Sequence, residues 1–316
     1  MKSTAAVAAL LPFGSVVEAA DHAKKSAHKS SETLVGDFYK TLTEPQRQNV
    51  CFPFNHELQS KIDNNWFITK TRVKDFTKDQ QDLIREIFLN LHSDEYAKRV
   101  LEQVEHDNGG SGGFGGCSVA LFGEPGRGKS EFVFTGRHVT RRCDGDAVEG
   151  AAFGGPIFYG HQAGDKDEEA ANHPGNAYWY QAQRANELFS ALDGKQRAIA
   201  LREHSRPERK ENTVKLTGKK SGLEGIPVAD LTRDQKELVR KVMADVLAPF
   251  RKADAAESMK LIEKNGFDNL HMAFFKDQDL GSDGVWDVWQ IEGPAMVWYF
   301  RGDPHVHTWV HIRESA

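Results

Sequence analysis

Cysteine is scarce in this chain. Three stand among 316 residues, Cys51, Cys117 and Cys143, and no two form a Cys-x-x-Cys pair. That argues against a thiolate zinc knuckle and leaves at most one disulfide with one cysteine over. Long apolar runs are also missing. A helix needs about 20 consecutive apolar residues to span a bilayer, and no stretch reaches that. Nor is there an excess of positive charge. Lysine and arginine number 41 against 46 acidic residues, for a net charge of -5, which argues against a general nucleic-acid binder. What is present is a globular composition, 39% hydrophobic and 28% charged. The length suffices for one large domain or two small ones with an ample core.

The first twenty residues differ from the rest. Ala5 to Val17 is apolar except for Pro12, Gly14 and Ser15, and Val17-Glu18-Ala19 has small residues at signal-peptidase spacing. Lys2-Ser3-Thr4-Ala5-Ala6 is similar to the second half of a twin-arginine export signal, without the arginine pair. Residues 1–20 are therefore expected to direct export to the periplasm or exterior, with 21–32 as a polar linker and 33–316 as a single domain. No membrane association is expected once such a signal is removed.

One local pattern recurs four times: a capping residue after an apolar one, then two spacers and a glutamine. It reads Thr43-Glu44-Pro45-Gln46, Thr77-Lys78-Asp79-Gln80, Asp193-Gly194-Lys195-Gln196 and Thr232-Arg233-Asp234-Gln235. The Thr or Asp oxygen can accept from the first helical turn while the glutamine reaches back to the cap's own N–H. Helical stripes follow two of the copies: Leu83, Ile84, Ile87, Phe88 and Leu91, then Leu238, Val239, Val242, Met243, Val246 and Leu247. A shared capping rule accounts for the likeness most simply; an internal duplication would account for it as well. Further helices are expected over 93–105 and 178–192.

Strands are expected in two blocks. Ser118 to Phe122, Glu131 to Arg142 and Ala151 to Tyr159 form the central one, with Asp144-Gly145 as a hairpin signal. Val285 to Gln290, Ala295 to Phe300 and Val306 to Ile312 form the C-terminal one. Blocks of strands among helices predict an α+β fold: an antiparallel or mixed sheet from 118–160 and 285–313, surrounded by N-capped helices. Gly109–Gly116 reads as a flexible loop, and residues 203–222, charged and poor in apolar groups, as a solvated excursion.

Gly123-Glu124-Pro125-Gly126-Arg127-Gly128-Lys129-Ser130 matches the phosphate-binding pattern GxxxxGK[ST]. That motif works only where a helix begins at its Lys-Ser end, with the helix N-terminus facing the phosphates. Here Glu131-Phe132-Val133-Phe134-Thr135-Gly136 is aromatic and β-branched and reads as a strand. No apolar strand ending in a magnesium-binding aspartate follows. The string is read as a glycine-rich turn; a P-loop NTPase is the less favoured alternative.

The histidines carry the chemistry. His305, His307 and His311 alternate through Val306 to Ile312, so on a strand they share one face with Trp309. Imidazoles at i and i+2 can ligate one metal ion. His138 and His161 lie on or next to the central strands and could converge with the pair if all share one sheet. Two or three neutral imidazoles with an open position suit zinc, copper or iron and could activate a bound water. The candidate ligands are His138, His305, His307 and His161. For a general base, Glu102, Glu105 and Glu187 on expected helices are the only weak candidates.

These residues also carry a family resemblance. Gly136-Arg137-His138-Val139 is similar to the Gly-His-His-Leu element of the domain of unknown function 3500 family, and Phe122-Gly123-Glu124-Pro125 resembles its Phe-Gly-x-Pro turn. Pro156-Ile157-Phe158-Tyr159-Gly160 resembles its Pro-x-Phe-x-Gly strand. Gly293-Pro294, His305-Val306-His307 and Arg313 resemble its C-terminal strands, and Asn65-Trp66 also fits. The resemblance spans roughly residues 33–313. Arg137 stands where the first histidine of the pair would be, and Phe132 replaces a tryptophan. If that histidine ligates in relatives, Arg137 implies a changed metal or a lost activity. The resemblance implies where a site lies and names no reaction.

Two readings remain beside the nucleotide one. The first is an exported protein with a histidine-lined metal or ligand site, acting on a small-molecule substrate. The second is a non-catalytic exported binding or structural protein, with Trp286, Trp289, Trp298, Tyr299 and Trp309 lining a groove or filling the core.

Overall fold

The structure, a computed structural model, describes residues 29–162, 177–277 and 285–316. The expected export segment lies outside the described residues, and the first helix begins inside the stretch read as linker. In chain order the first half comprises α1 (Ser31–Thr41), α2 (Glu44–Val50), β1 (Cys51–Phe52), α3 (Lys78–Asn90), α4 (Ala97–Asp107), β2 (Ser118–Gly123), β3 (Ser130–Gly136), β4 (Val139–Cys143) and β5 (Ile157–His161). The second comprises α5 (Tyr180–Ala191), α6 (Gly194–Ala200), β6 (Leu201–Arg202), β7 (Ile226–Pro227), α7 (Arg233–Leu247), α8 (Lys252–Asn265), β8 (His271–Phe275), β9 (Val288–Gly293), β10 (Met296–Arg301) and β11 (Val306–Ile312).

The strands form one mixed sheet in the order β1-β2-β3-β4-β5-β11-β10-β9-β8-β6, with β7 beside β8. The fold is α+β, and the central and C-terminal strands meet at an antiparallel β5–β11 seam. The helices do not surround the sheet. Apolar side chains from all eight pack into one core on a single face, with Phe88, Val242, Met243 and Ile262 beside Tyr159 and Trp298. The opposite face is covered by irregular chain. Phe54, Leu58, Trp66 and Ile68 lie over it on one side and Ile62, Val214 and Leu216 on the other. Residues 203–222, expected to be solvated, thus fold partly across the sheet, with Thr213 and Val214 buried.

All four capping boxes form. Thr43, Thr77, Asp193 and Thr232 each accept from the backbone of the glutamine three residues on, whose side chain accepts from the cap N–H. The glutamines then pair across helices. The amides of Gln46 and Gln80 face each other at 2.9 and 3.1 Å, and those of Gln196 and Gln235 at 2.9 and 2.7 Å. Buried glutamine amides need partners, and this pairing supplies them.

The likeness extends beyond capping. The first half pairs Cys51 with Leu121, Leu121 with Phe132 and Phe132 with Cys143. The second pairs Leu201 with Phe274, Phe274 with Trp289 and Trp289 with Phe300. Val139 opposite Tyr159 is matched by Met296 opposite Ile312. One unit, two helices, a short parallel edge strand, two more helices and an antiparallel meander, occurs twice in the same register. The two copies join along β5 and β11.

The stretch from Glu131 to Arg142 is not one strand. It breaks at Gly136-Arg137-His138 into β3 and β4, because Asn108 clamps the turn. The Asn108 carboxamide accepts from Arg137 N–H at 2.9 Å and donates to Arg137 C=O at 3.1 Å. Asp144-Gly145 lies in a longer connection that passes through a 3-10 turn at Ala152–Gly154, so β5 starts only at Ile157. The glycine-rich string from Gly123 to Ser130 is a turn between antiparallel strands β2 and β3. The chain after it is extended, and Lys129 Nζ donates to Glu149 at 3.0 Å. The three cysteines are free thiols.

Candidate metal centre

The site lies at one end of the β5–β11 seam. His307 points to the loop-covered face, as does Trp309 two residues on. Gly160 stands directly opposite His307 in β5. A Cβ at Gly160 would lie 2.2 Å from the Val306 carbonyl oxygen and 3.5 Å from His138 Cγ. The missing side chain lets the turn bearing His138 close over the seam. His138 itself holds φ 58°, a left-handed conformation that costs a branched or bulky residue on the order of 1 kcal/mol or more. Its N–H donates to Asn64 O at 2.9 Å and its C=O accepts from Gly160 N–H at 3.2 Å, and these bonds hold it there.

Three imidazoles converge. The Nε2 atoms of His138 and His305 are 3.1 Å apart, those of His305 and His307 3.0 Å, and those of His307 and His138 3.1 Å. His138 and His307 are buried and His305 is half-buried. Each buried ring is fixed from behind by a carboxylate: His138 Nδ1 lies 3.0 Å from Asp107 Oδ2, and His307 Nδ1 lies 2.7 Å from Glu208 Oε2. Arg301 holds the other oxygen of Glu208 and also touches His307 Nδ1.

The electrostatics favour neutral rings and ionised carboxylates. Burial dominates at His305, with the charges of His138, Arg301 and Arg137 adding to it, and pushes its pKa down to about 3. Burial also outweighs Glu208 at His307, again to about 3, and outweighs Asp107 at His138, which is lowered too. Burial alone would raise Glu208, but His307 and Arg301 hold it down to about 2. Asp107 is likewise held well below the ordinary carboxylate range, against burial, by His138 and His161.

A neutral imidazole has one N–H, and hydrogen bonding to Asp107 favours it on Nδ1 of His138. At His307 Glu208 favours the same tautomer, opposed by the Arg301 guanidinium on the same nitrogen. The Nε2 lone pairs of His138 and His307 then face each other at 3.1 Å. His305 can place a proton between one such pair at most. Lone pairs aimed at a common point and backed by carboxylates are the arrangement of metal-ligating histidines. An edge near 3.1 Å is close to the roughly 3.3 Å separating tetrahedral ligands about 2.0 Å from one ion.

His161 is not in the trio. It pairs with Val306, which points to the helical core, so its ring leaves the sheet on the other face. It reaches the site indirectly, with Nδ1 3.2 Å from Asp107 Oδ1. His311 shares the face of His307 but sits further along the strand, bonded to Val214 O at 3.1 Å. The suggested glutamates lie elsewhere: Glu102 pairs with Lys98, Glu105 with Arg85 and Glu187 with Arg184. Trp289, Trp298 and Trp309 are core residues buried against other aromatic rings, and Tyr299 is buried in the same cluster as Trp309.

Asp107 and Glu208 were not singled out from sequence. Asp107 ends α4 beside Asn108, and Glu208 sits in the excursion read as solvated. Their only sequence signal is a carboxylate within an otherwise ordinary charged stretch.

No helix among the described residues is long and apolar enough to cross a membrane. No curated protein and no solved structure is matched by the chain. A family model described as "Protein of unknown function (DUF3500)" matches residues 24–314. The match covers nearly the whole chain, both copies of the repeated unit and every residue of the histidine trio, and the chain therefore belongs to the DUF3500 family.

Proposed function

We propose that this is an exported metalloprotein in which His138, His305 and His307 hold one divalent transition metal through Nε2. The observation that carries the reading is the convergence of three Nε2 atoms within 3.1 Å, with a carboxylate behind two of the rings. Asp107 and Glu208 orient the ligands, and His161 steadies Asp107 from the far side. Three neutral imidazoles leave at least one coordination position open, the donor set of a catalytic zinc site. Such an ion lowers the pKa of bound water to about 7 and makes a hydroxide nucleophile near neutrality. The reading is therefore a zinc-type hydrolytic centre acting on a small molecule. Copper or iron in the same nitrogens would instead favour oxidative chemistry. Export rests on the N-terminal sequence alone, and secretion of a reporter fused to residues 1–32 would test it.

The direct test is metal content. Purified chain should carry about one zinc, copper or iron per molecule, and the His305→Ala/His307→Ala variant should carry none while remaining folded. A folded wild-type chain that takes up none of these metals would leave the non-catalytic reading in its place.

A further inference from the structure

The reading of the trio as a metal centre leaves one nearby charge unexplained. Arg137 immediately precedes His138 in the β3–β4 turn. Two consecutive residues of α4's C-terminal end hold two consecutive residues of this turn: Asp107 binds the His138 ring, and Asn108 binds both backbone polar groups of Arg137. The Arg137 backbone is thus as firmly placed as the ligand beside it, and an antiparallel bridge to Asn65 adds to this. The guanidinium is half-buried and touches the Gln162 side-chain oxygen. Gln162 is itself tied to the site, since its N–H donates to Asp107 Oδ1 at 3.2 Å.

Among the described residues no carboxylate pairs with Arg137. The other arginine at the centre, Arg301, is matched by Glu208. With neutral imidazoles, Asp107 and Glu208 contribute two negative charges, and Arg301 and Arg137 two positive ones. A divalent ion would therefore leave an excess of two positive charges among these four side chains and the ion. Arg137 adjoins the ligand His138 in the chain, and its guanidinium touches Gln162, which is bonded to the same Asp107 that holds the His138 ring, so the charge lies beside the trio. A fixed guanidinium next to a metal cation, with neither neutralised, is costly unless an anion bridges them. Planar guanidinium also matches the geometry of carboxylate and phosphate oxygens.

We infer that the substrate of this centre carries an oxyanion, a carboxylate or a phosphate, held with one oxygen toward the metal's open position and another on the Arg137 guanidinium. Arg137 is then the residue that determines substrate class. The inference rests on the metal reading and adds to it.

Cobalt-loaded protein provides the test, because cobalt's visible spectrum reports both its own binding and the arrival of an anion. Acetate and inorganic phosphate are titrated separately into wild type, Arg137→Gln and Arg137→Lys. Cobalt should bind all three, and no more weakly in Arg137→Gln, where the repulsion between the guanidinium and the ion is gone. In wild type at least one anion should perturb the spectrum, and the tighter of the two names the class. Arg137→Gln should weaken that anion by about tenfold or more, with Arg137→Lys intermediate, as expected for losing and then partly restoring a charge-assisted contact. Cobalt bound normally, with anion affinity equal in wild type and Arg137→Gln, would overturn this inference alone. Failure of wild type to bind cobalt would overturn the metal reading and this inference with it.

Discussion

The two ends of the β5–β11 seam are built from equivalent parts and differ in chemistry. At one end the β3–β4 turn carries Arg137-His138 between paired residues Gly136 and Val139. At the other, the β9–β10 turn carries Pro294-Ala295 between paired residues Gly293 and Met296. Counting back from the matched Tyr159 and Ile312, His305 and His307 fall opposite Ala152 and Gly154, which form the 3-10 turn before β5. One end thus holds three converging imidazoles and the other holds alanine, alanine and glycine. The shared scaffold does not require histidine at these positions, so the trio is not a by-product of how the unit folds. Ala295, the counterpart of His138, does not share its positive φ; at the far end that conformation falls instead on Phe153, at φ 59°.

The largest effect is expected at the seam. Gly160→Ala would drive a Cβ into the Val306 carbonyl. It should destabilise the chain on the order of 3 kcal/mol and abolish metal uptake, measurable by denaturant unfolding and metal analysis. A variant as stable and as metal-replete as wild type would show that the seam is not closed by this contact.

Next come the carboxylates behind the rings. Asp107→Asn and Glu208→Gln should each weaken metal affinity by about 10–100-fold, the usual consequence of losing a partner of a ligating histidine. Competition with a chromogenic chelator would measure it. An unchanged affinity would mean that the carboxylates merely fill space.

A third effect appears in the metal-free chain on acidification. His307 and His311 are depressed by burial to about 3 and about 4, from an ordinary 6.5. Unfolding frees both rings to take protons near 6.5, so protons favour the unfolded state. Stability is complete above about pH 6.5 and falls as pH drops toward 4 for His311 and 3 for His307. Each ring contributes a slope of up to about 1.4 kcal/mol per pH unit over its window. Bound metal should flatten the His307 part and leave the His311 part. A His307→Ala variant with the wild-type pH profile would contradict this assignment.

The smallest effects test the blank end and the glycine string. Ala295→His should gain no stoichiometric metal, because its neighbours across the seam offer no imidazole. Lys129→Ala should change stability by about 0.5 kcal/mol or less, since an exposed ion pair is worth little. Calorimetry with ATP should register no binding in either form.

Much of this was legible locally. A capping box is written within four residues, and all four formed as read. β11 spans Val306 to Ile312 as its alternation predicted, and alternation alone placed His305 and His307 together. The strand character of Phe132 to Thr135 was enough to reject a phosphate cradle. What sequence concealed was non-local. The break between β3 and β4 depends on Asn108, nearly thirty residues away, so the aromatic run looked continuous. Glu208 lies in a stretch whose polarity suggested solvent, yet there Arg206 reaches Glu292 at 2.6 Å and Glu208 reaches His307, so charge there serves burial. His161 seemed able to join the trio because face depends on register with β11, which spacing within β5 cannot reveal. The repeated unit was visible only in four capping boxes and two similar helices, because the side chains of the strands differ while their pairing is the same.

X-ray absorption at the metal edge of the purified chain tests the central claim most directly. One metal per chain is expected, with three imidazole nitrogens at about 2.0 Å and an oxygen donor completing the shell. Sulfur in the first shell, or a metal signal unchanged by His138→Ala, would contradict it.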